Sequence, residues 1–163
     1  MAERITVLGV GNTLRMDEGV GVHAVRTLGQ RHRGDMPEVD FLDGGTLGLN
    51  LLPYVEEAAA LLILDAVDSG SPPGTVIELS GNSIPKYSGI KLSEHQVTLQ
   101  EVLGLALIRG HLPARMILIG IQPADLATGD SLSPTAAGAL PEMLARAEAV
   151  LEVWRPPPSS SPV

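Results

Sequence analysis

Short apolar runs alternate with helical stretches along the chain, and this alternation predicts an α/β fold. The pattern predicts five strands, at residues 5–10, 39–42, 60–64, 75–79 and 115–119. The third strand is apolar throughout, which is typical of a buried parallel strand. The fourth strand follows it after a Gly/Pro turn with no room for a crossover helix. We therefore expect the fourth strand to be antiparallel to its neighbour.

Cap residues predict where several helices begin. Ser93 and Gln96 have the spacing of a capping box. Ser133 followed by Pro134 has the form of an N-cap and first residue of the last helix. Thr46 is a further candidate cap, for a short helix after the second strand. The first helix is predicted over about 17–31, since its apolar positions recur at helical spacing.

Length and composition favour one domain in a reducing compartment. The chain has 163 residues, of which 44% are hydrophobic, and it contains no cysteine. We predict a single α/β domain over residues 1–155 and a disordered Pro/Ser-rich tail over 156–163. Without cysteine, disulfides and thiolate metal sites are excluded.

Charge and hydropathy limit the classes of partner that the protein could bind. The net charge is −8 at pH 7, which argues against a nucleic acid or an anionic membrane as partner. The longest apolar run, residues 58–64, is too short to span a bilayer. No signal peptide is expected at the N-terminus. We therefore expect a soluble, cytoplasmic protein that is a monomer.

The segment from Gly9 to Gly21 carries the most chemical information. It reads GVGNTLRMDEGVG and follows the first predicted strand, so it is a strand-to-helix junction where α/β proteins often bind ligands. A phosphate site needs free N–H groups and positive charge at the helix start. Asp17 and Glu18 supply negative charge there instead, which favours a cation.

Further acids and one histidine could converge with this junction. Asp43 and Asp65 directly follow the second and third strands, and parallel strands end at the same edge of a sheet. His95 lies in the predicted first turn of a helix, where the helix dipole disfavours imidazolium and so favours a neutral, metal-binding ring. Carboxylates with imidazole suit Zn, Ni or Co.

Each of these residues also has a plain structural explanation. Asp17 is more readily a helix N-cap than a ligand, and Glu18 could simply complement the helix dipole. Asp43 before two glycines could form a turn, and Asp65 could form a turn or a cap. His95 could be a surface residue of a capped helix.

Taken together, the motifs resemble the hydrogenase maturation endopeptidases, which process nickel–iron hydrogenases. The resemblance rests on the Gly9–Gly21 segment, Asp43-Gly-Gly-Thr46, Asp65-Ala66 and His95-Gln96 in that order, and it covers roughly residues 4–152. It implies a three-layer α/β sandwich, in which a twisted, mixed, mostly parallel five-stranded sheet lies between helices.

The resemblance also implies an activity. Such enzymes remove a short C-terminal peptide from the large-subunit precursor after nickel insertion. The family's metal-binding positions fall on Glu18, Asp65 and His95, which also count as catalytic candidates, and Asp43 matches an aspartate linked to processing. The nickel would come with the precursor, and no organic cofactor is expected. The metal could polarise the scissile carbonyl or activate a water, and Asp43 could orient the peptide or act as base.

Two other functions remain open at this stage. A dinucleotide-binding domain would use Gly9 and Gly11 after the strand and Asp43 as the ribose-binding acid. Leu14 at the third glycine position and the Asp17–Glu18 pair oppose that interpretation. A non-catalytic protein that checks nickel loading would use the same metal site without cleaving the precursor.

Overall fold

The computed structural model describes residues 3–86 and 98–157. Its strands are β1 (Ile5–Val10), β2 (Val39–Gly45), β3 (Ala60–Ala66), β4 (Val76–Ser80) and β5 (Arg115–Ile121). Its α-helices are α1 (Val20–Arg31), α2 (Leu52–Glu57), α3 (Leu99–Ile108) and α4 (Pro134–Trp154). Short 3-10 segments lie at Met16–Gly19, Gly48–Leu51 and Gly81–Lys86.

The five strands form one mixed sheet in the order β2-β1-β3-β5-β4. Neighbouring strands are parallel except β4, which is antiparallel to β5. Gly9 pairs with both Asp43 and Leu64, so β1, β2 and β3 end at nearly the same level. The predicted mixed, mostly parallel sheet with an antiparallel fourth strand is confirmed.

Helices cover both faces of the sheet, as a three-layer sandwich requires. Apolar residues of α1 and α4 pack on Val7, Leu62 and Leu64. Apolar residues of α2 and α3 pack on the other face, where Leu61 and Ile63 lie. Because successive side chains of a strand alternate between faces, Asp65 shares the α2/α3 face with Leu61 and Ile63.

Glycines allow α1 to lie unusually close to the sheet. A Cβ on Gly21 would lie 2.0 Å from the Leu64 carbonyl oxygen. A Cβ on Gly9 would lie 2.3 Å from the Gly21 carbonyl oxygen. Neither position therefore has room for a side chain. This close approach places the beginning of α1 against the carboxyl ends of β1 and β3.

Two predicted helix starts differ from the structure. The first helix opens with the 3-10 turn Met16–Gly19, and α1 begins only at Val20. Thr46 does not cap a helix, because the next turn starts only at Gly48 and Leu47 is at its N-cap position. β1 has its predicted bounds, but the other four strands extend beyond their predicted ends. Strand β2 reaches Gly45 because its pairing with β1 continues past a bulge.

The last two helices are capped by hydroxyl side chains. Thr98 caps α3 in a capping box with Glu101. The predicted capping box of Ser93 and Gln96 lies outside the described residues. Ser133 caps α4 by accepting a hydrogen bond from the Ala136 N–H at 3.1 Å, which confirms that prediction.

The predicted limits of the domain and of the tail stay predictions. Residues 158–163, most of the proposed tail 156–163, lie outside the described part of the chain. Among the helices that the structure describes, none is both long and apolar enough to cross a membrane.

Arg155 ties the end of α4 to the segment before β2. Its guanidinium donates hydrogen bonds to the Glu38 carboxylate and, at 3.3 Å, to the Asp35 carbonyl. The hydrogen bond from Arg155 lowers the pKa of Glu38 below its ordinary value. A carboxyl whose pKa is lower in the folded state stabilises the fold above its unfolded pKa. That contribution is lost as the pH falls through the folded pKa.

We predict that Arg155→Gln lowers the free energy of unfolding by about 0.5–1 kcal/mol at neutral pH. The loss should shrink as the pH falls from the ordinary pKa of a glutamate, about 4.3, through the lowered pKa of Glu38, because the carboxylate then becomes protonated. Urea unfolding of the wild type, Arg155→Gln, Glu38→Gln and the double variant across this range measures the effect. An equal loss at neutral and acidic pH would show that Arg155 acts through packing and not through charge.

Candidate active site

Glu18 lies on the 3-10 turn that joins β1 to α1, and it is only 3% exposed. Its carboxylate accepts a hydrogen bond from the backbone N–H of Asn12. Burial raises the pKa of Glu18 above its ordinary value, although the Asn12 hydrogen bond and the charge of Arg15 act in the opposite direction. Among the described residues, its carboxylate forms no salt bridge. Glu18 is thus a buried acid whose charge is poorly compensated by the protein.

Gly11 makes this arrangement possible. It has a φ of +128°, and a Cβ there would lie 1.9 Å from the Glu18 carbonyl oxygen. Only glycine fits, because the loop after β1 folds back directly onto the turn that carries Glu18. In this arrangement the Asn12 N–H donates its hydrogen bond to the Glu18 carboxylate. This N–H is therefore not free to bind a phosphate. That geometry disfavours the dinucleotide interpretation.

Asp65 lies near the carboxyl end of β3 and is 8% exposed. One of its carboxylate oxygens accepts a hydrogen bond from the Ala66 N–H at 2.8 Å. The residue before it, Leu64, is the one against which Gly21 packs. The strand end with Asp65 and the turn with Glu18 therefore border the same edge of the sheet, as the sequence predicts.

His95, the third predicted ligand, lies outside the described residues. The described chain resumes at Thr98, the N-cap of α3. At the other end of α3, Arg109 pairs with Glu56 at 2.8 Å, and Glu56 lies shortly before the start of β3. Because the C-terminal end of α3 is near the starts of the strands, its N-terminal end points toward the edge with Asp65.

Within residues 3–86 and 98–157, no group of three His, Cys, Asp or Glu side chains is arranged to hold a metal. The described part of the chain supplies two of the predicted ligands, Glu18 and Asp65. The assignment of Glu18, Asp65 and His95 to a metal therefore stays a prediction.

Asp43 lies in β2, so the expectation that it forms a turn is wrong, and it is solvent-exposed. It forms an ion pair with Arg26 of α1, with 2.8 Å between the guanidinium and carboxylate. Both residues border a cleft of about 150 Å³ whose other wall is the loop with Asn12 and Thr13. Since the Asn12 N–H also contacts Glu18, this loop lies between the cleft and the buried acid.

Asp17 has a role that sequence reasoning missed. It is fully buried, and its carboxylate accepts hydrogen bonds from the N–H groups of Ala124 (2.8 Å), Asp125 (3.0 Å) and Ser133 (2.7 Å). The Ser133 hydroxyl donates a further one at 2.7 Å. We call these contacts the Asp17 cluster. The prediction that Asp17 is an N-cap is wrong, because its side chain caps neither the 3-10 turn nor α1.

The environment of Asp17 favours its ionised form. Burial alone would raise the pKa of Asp17, but the hydrogen bonds from Ser133, Ala124 and Asp125 outweigh burial and lower it. No local pattern could reveal this role, since Ser133 lies 116 residues away. The sequence showed only one of the two partners, because Ser133 was recognisable as a helix cap.

Backbone hydrogen bonds also join the segment around Asp17 to the segment before α4. The N–H of Met16 donates to the Gly129 carbonyl at 3.0 Å, and the N–H of Gly129 donates to the Leu14 carbonyl at 2.9 Å. Met16 adopts a φ of +46°, which non-glycine residues rarely do. The contact with the segment before α4 thus holds the turn of Glu18 in a backbone conformation that it would not favour alone.

We predict that Asp17→Asn lowers the free energy of unfolding by about 2–4 kcal/mol, because an amide cannot accept all of these hydrogen bonds. Ser133→Ala should cost about 1–2 kcal/mol, since it removes the cap of α4 and one contact to Asp17. Urea unfolding measures both. Asp125→Asn is the matched control, because Asp125 contributes only its backbone to the cluster and is expected to change stability little. A loss for Asp17→Asn no larger than for this control would contradict the assigned role.

Comparison with known proteins identifies the family to which the chain belongs. The model of a family described as HycI, hydrogenase maturation protease, matches residues 22–150. The hydrogenase expression/formation protein HupD of Rhodobacter capsulatus is 44% identical over 155 residues, covering 93% of this chain and 73% of the relative. The hydrogenase 2 maturation protease of Escherichia coli is 40% identical over 134 residues, covering 81% of this chain and 80% of the relative.

Solved structures give the same result. The hydrogenase maturating endopeptidase HybD from Escherichia coli superposes with a TM-score of 0.81 at 35% sequence identity, covering 92% of this chain and 93% of that one. A HybD maturation protease from Thermococcus kodakarensis superposes with a TM-score of 0.67 at 25% identity, covering 90% and 98% of the two chains. The sequence resemblance is confirmed over nearly the whole fold: the chain belongs to the hydrogenase maturation protease family and is a peptidase.

Proposed function

We propose that this peptidase removes a C-terminal peptide from the large-subunit precursor of a nickel–iron hydrogenase, and that it recognises the nickel already bound there. The observation that carries the proposal is the nearly complete burial of Glu18 at the sheet edge where Asp65 also lies. Glu18, which forms no ion pair among the described residues, and a second buried carboxylate at the same edge suit a cation that arrives with the substrate. Membership of the protease family supports cleavage over a purely checking role.

In this proposal, Glu18, Asp65 and His95 bind the precursor's nickel. Two carboxylates offset the charge of a divalent ion, and a neutral imidazole completes a set of three ligands. Further coordination positions remain for groups of the precursor. The nickel could then polarise the scissile carbonyl or lower the pKa of a bound water.

We propose that Asp43 orients the peptide. Its carboxylate is already paired with Arg26 at the border of the cleft, which supports an orienting role over that of a general base. A base would have to exchange this ion pair for a proton during each turnover.

We also propose that the protein acts in the cytoplasm as a monomer. The absence of cysteine suits a reducing compartment, and the net charge of −8 disfavours self-association.

Nickel dependence is the most direct test of this function. We predict that incubation with the cognate nickel-loaded precursor shortens it by one C-terminal peptide, whereas the nickel-free precursor stays intact. Intact-mass spectrometry of both reactions measures this. Equal cleavage of both precursors would refute nickel recognition. Tight binding of the loaded precursor without any cleavage would refute the protease function and support the checkpoint alternative.

Removing each ligand group in turn tests the three proposed ligands. We predict that Glu18→Gln, Asp65→Asn and His95→Ala each reduce the processing rate by more than about 100-fold, because each removes a metal ligand. Glu152→Gln, at an exposed position on α4, is the matched control and should retain full activity. Thermal unfolding of each variant separates a lost ligand from a lost fold. Wild-type processing by all three well-folded variants would contradict the metal-binding assignment.

A further inference from the structure

A groove runs from the candidate active site along α1 and β2. The cleft beside Asn12 ends at the ion pair of Arg26 and Asp43, and a second cleft of about 230 Å³ begins at the same pair. The second cleft continues between α1 and Phe41, and it reaches Arg33 just beyond the helix end. We call the two clefts together the α1–β2 groove.

The floor of this groove is the free edge of the sheet. β2 is the outermost strand and pairs only with β1. The Ile5 N–H donates to the Glu38 carbonyl at 3.1 Å, so in this parallel ladder Asp40 and Leu42 direct their backbone groups toward β1. The N–H and C=O groups of Phe41 and Asp43 therefore point outward. Such an edge can accept an extended peptide as an added strand.

The charge of the groove differs from that of the whole chain. The protein has a net charge of −8, yet Arg26 and Arg33 both line the second cleft. Arg26 is paired with Asp43, whereas Arg33 is exposed and has no carboxylate partner among the described residues. The far end of the groove therefore presents a free guanidinium, which suits a carboxylate ligand.

We propose that the α1–β2 groove binds the C-terminal segment of the precursor as an extended strand, with a carboxylate of that segment on Arg33. The inference rests on the proposed function. If the precursor is cut at the Glu18 edge, its residues after the cut must extend away from that edge, and the groove begins there. A segment running from the Glu18 edge toward Arg33 is antiparallel to β2. From Val22 to Arg31, the last residue of α1, the helix rises about 14 Å, the length of about four extended residues.

Charge reversal at Arg33 tests the groove in the processing reaction. We expect Arg33→Glu to raise the KM for the nickel-loaded precursor about five- to tenfold with kcat within about twofold of wild type. Arg146→Glu reverses the same charge on α4, away from the groove, and should change KM less than about twofold. Equal KM values for Arg33→Glu and Arg146→Glu would overturn the assignment while leaving the protease function intact.

Peptide binding tests the same surface without any cleavage. The probe is a labelled synthetic peptide copying about ten C-terminal residues of the precursor, and its affinity is measured by fluorescence anisotropy. Arg33→Glu should weaken binding about five- to tenfold relative to Arg146→Glu. If the free acid binds more tightly than the C-terminal amide, the terminal carboxylate meets Arg33. If the two bind equally and both lose affinity with Arg33→Glu, an acidic side chain meets it.

Single N-methylation of the peptide tests strand addition. A methyl group blocks a backbone N–H, so affinity should fall at alternate positions along a peptide that pairs with β2. A uniform effect along the peptide, or none, would overturn strand addition. Should the wild-type enzyme fail to cut the loaded precursor, the proposed function fails, and the binding measurements still decide whether the groove holds the peptide.

Discussion

The buried carboxylate of Asp17 joins two segments of the chain that are more than a hundred residues apart. It accepts hydrogen bonds from Ser133 at the start of α4 and from Ala124 and Asp125 in the segment before it. The next residue, Glu18, is one of the three proposed nickel ligands. Whatever holds Asp17 therefore also determines where Glu18 lies. Because Met16 in the same turn has a positive φ, the turn depends on these contacts to keep its shape.

Close backbone packing also holds the turn that carries Glu18. Gly9, Gly11 and Gly21 have no room for a Cβ, so the start of α1 packs directly on the sheet and the loop after β1 packs directly on the turn with Glu18. Together with the Asp17 cluster, this packing fixes the turn from both sides. As a result, Glu18 and Asp65 lie on secondary-structure elements at the sheet edge and not on a long loop. A site that must recognise a bound ion benefits from such preorganisation.

Two neighbouring acids in this turn have opposite electrostatic environments. Asp17 receives several hydrogen bonds, which lower its pKa despite burial. Glu18 receives one from Asn12, and burial raises its pKa. The first carboxylate is fully satisfied within the protein and serves the fold. The second is left with unused acceptor capacity in a buried position, which is the condition for binding a cation from outside. Their roles follow from their partners, not from their residue type.

Local patterns in the sequence determined much of this protein. Alternating apolar runs located the five strands, and the short connection after β3 indicated that β4 is antiparallel. The Ser133 cap was visible too, because such signals depend on residues close together in the chain. The Gly9–Gly21 motif also pointed to the protease family. Only the tertiary structure decided that Asp17 binds Ser133, that Asp43 pairs with Arg26 and that β2 lies at the edge. These outcomes depend on which distant segments pack together, and hydrophobic periodicity carries no information about the partner of a buried hydrogen bond.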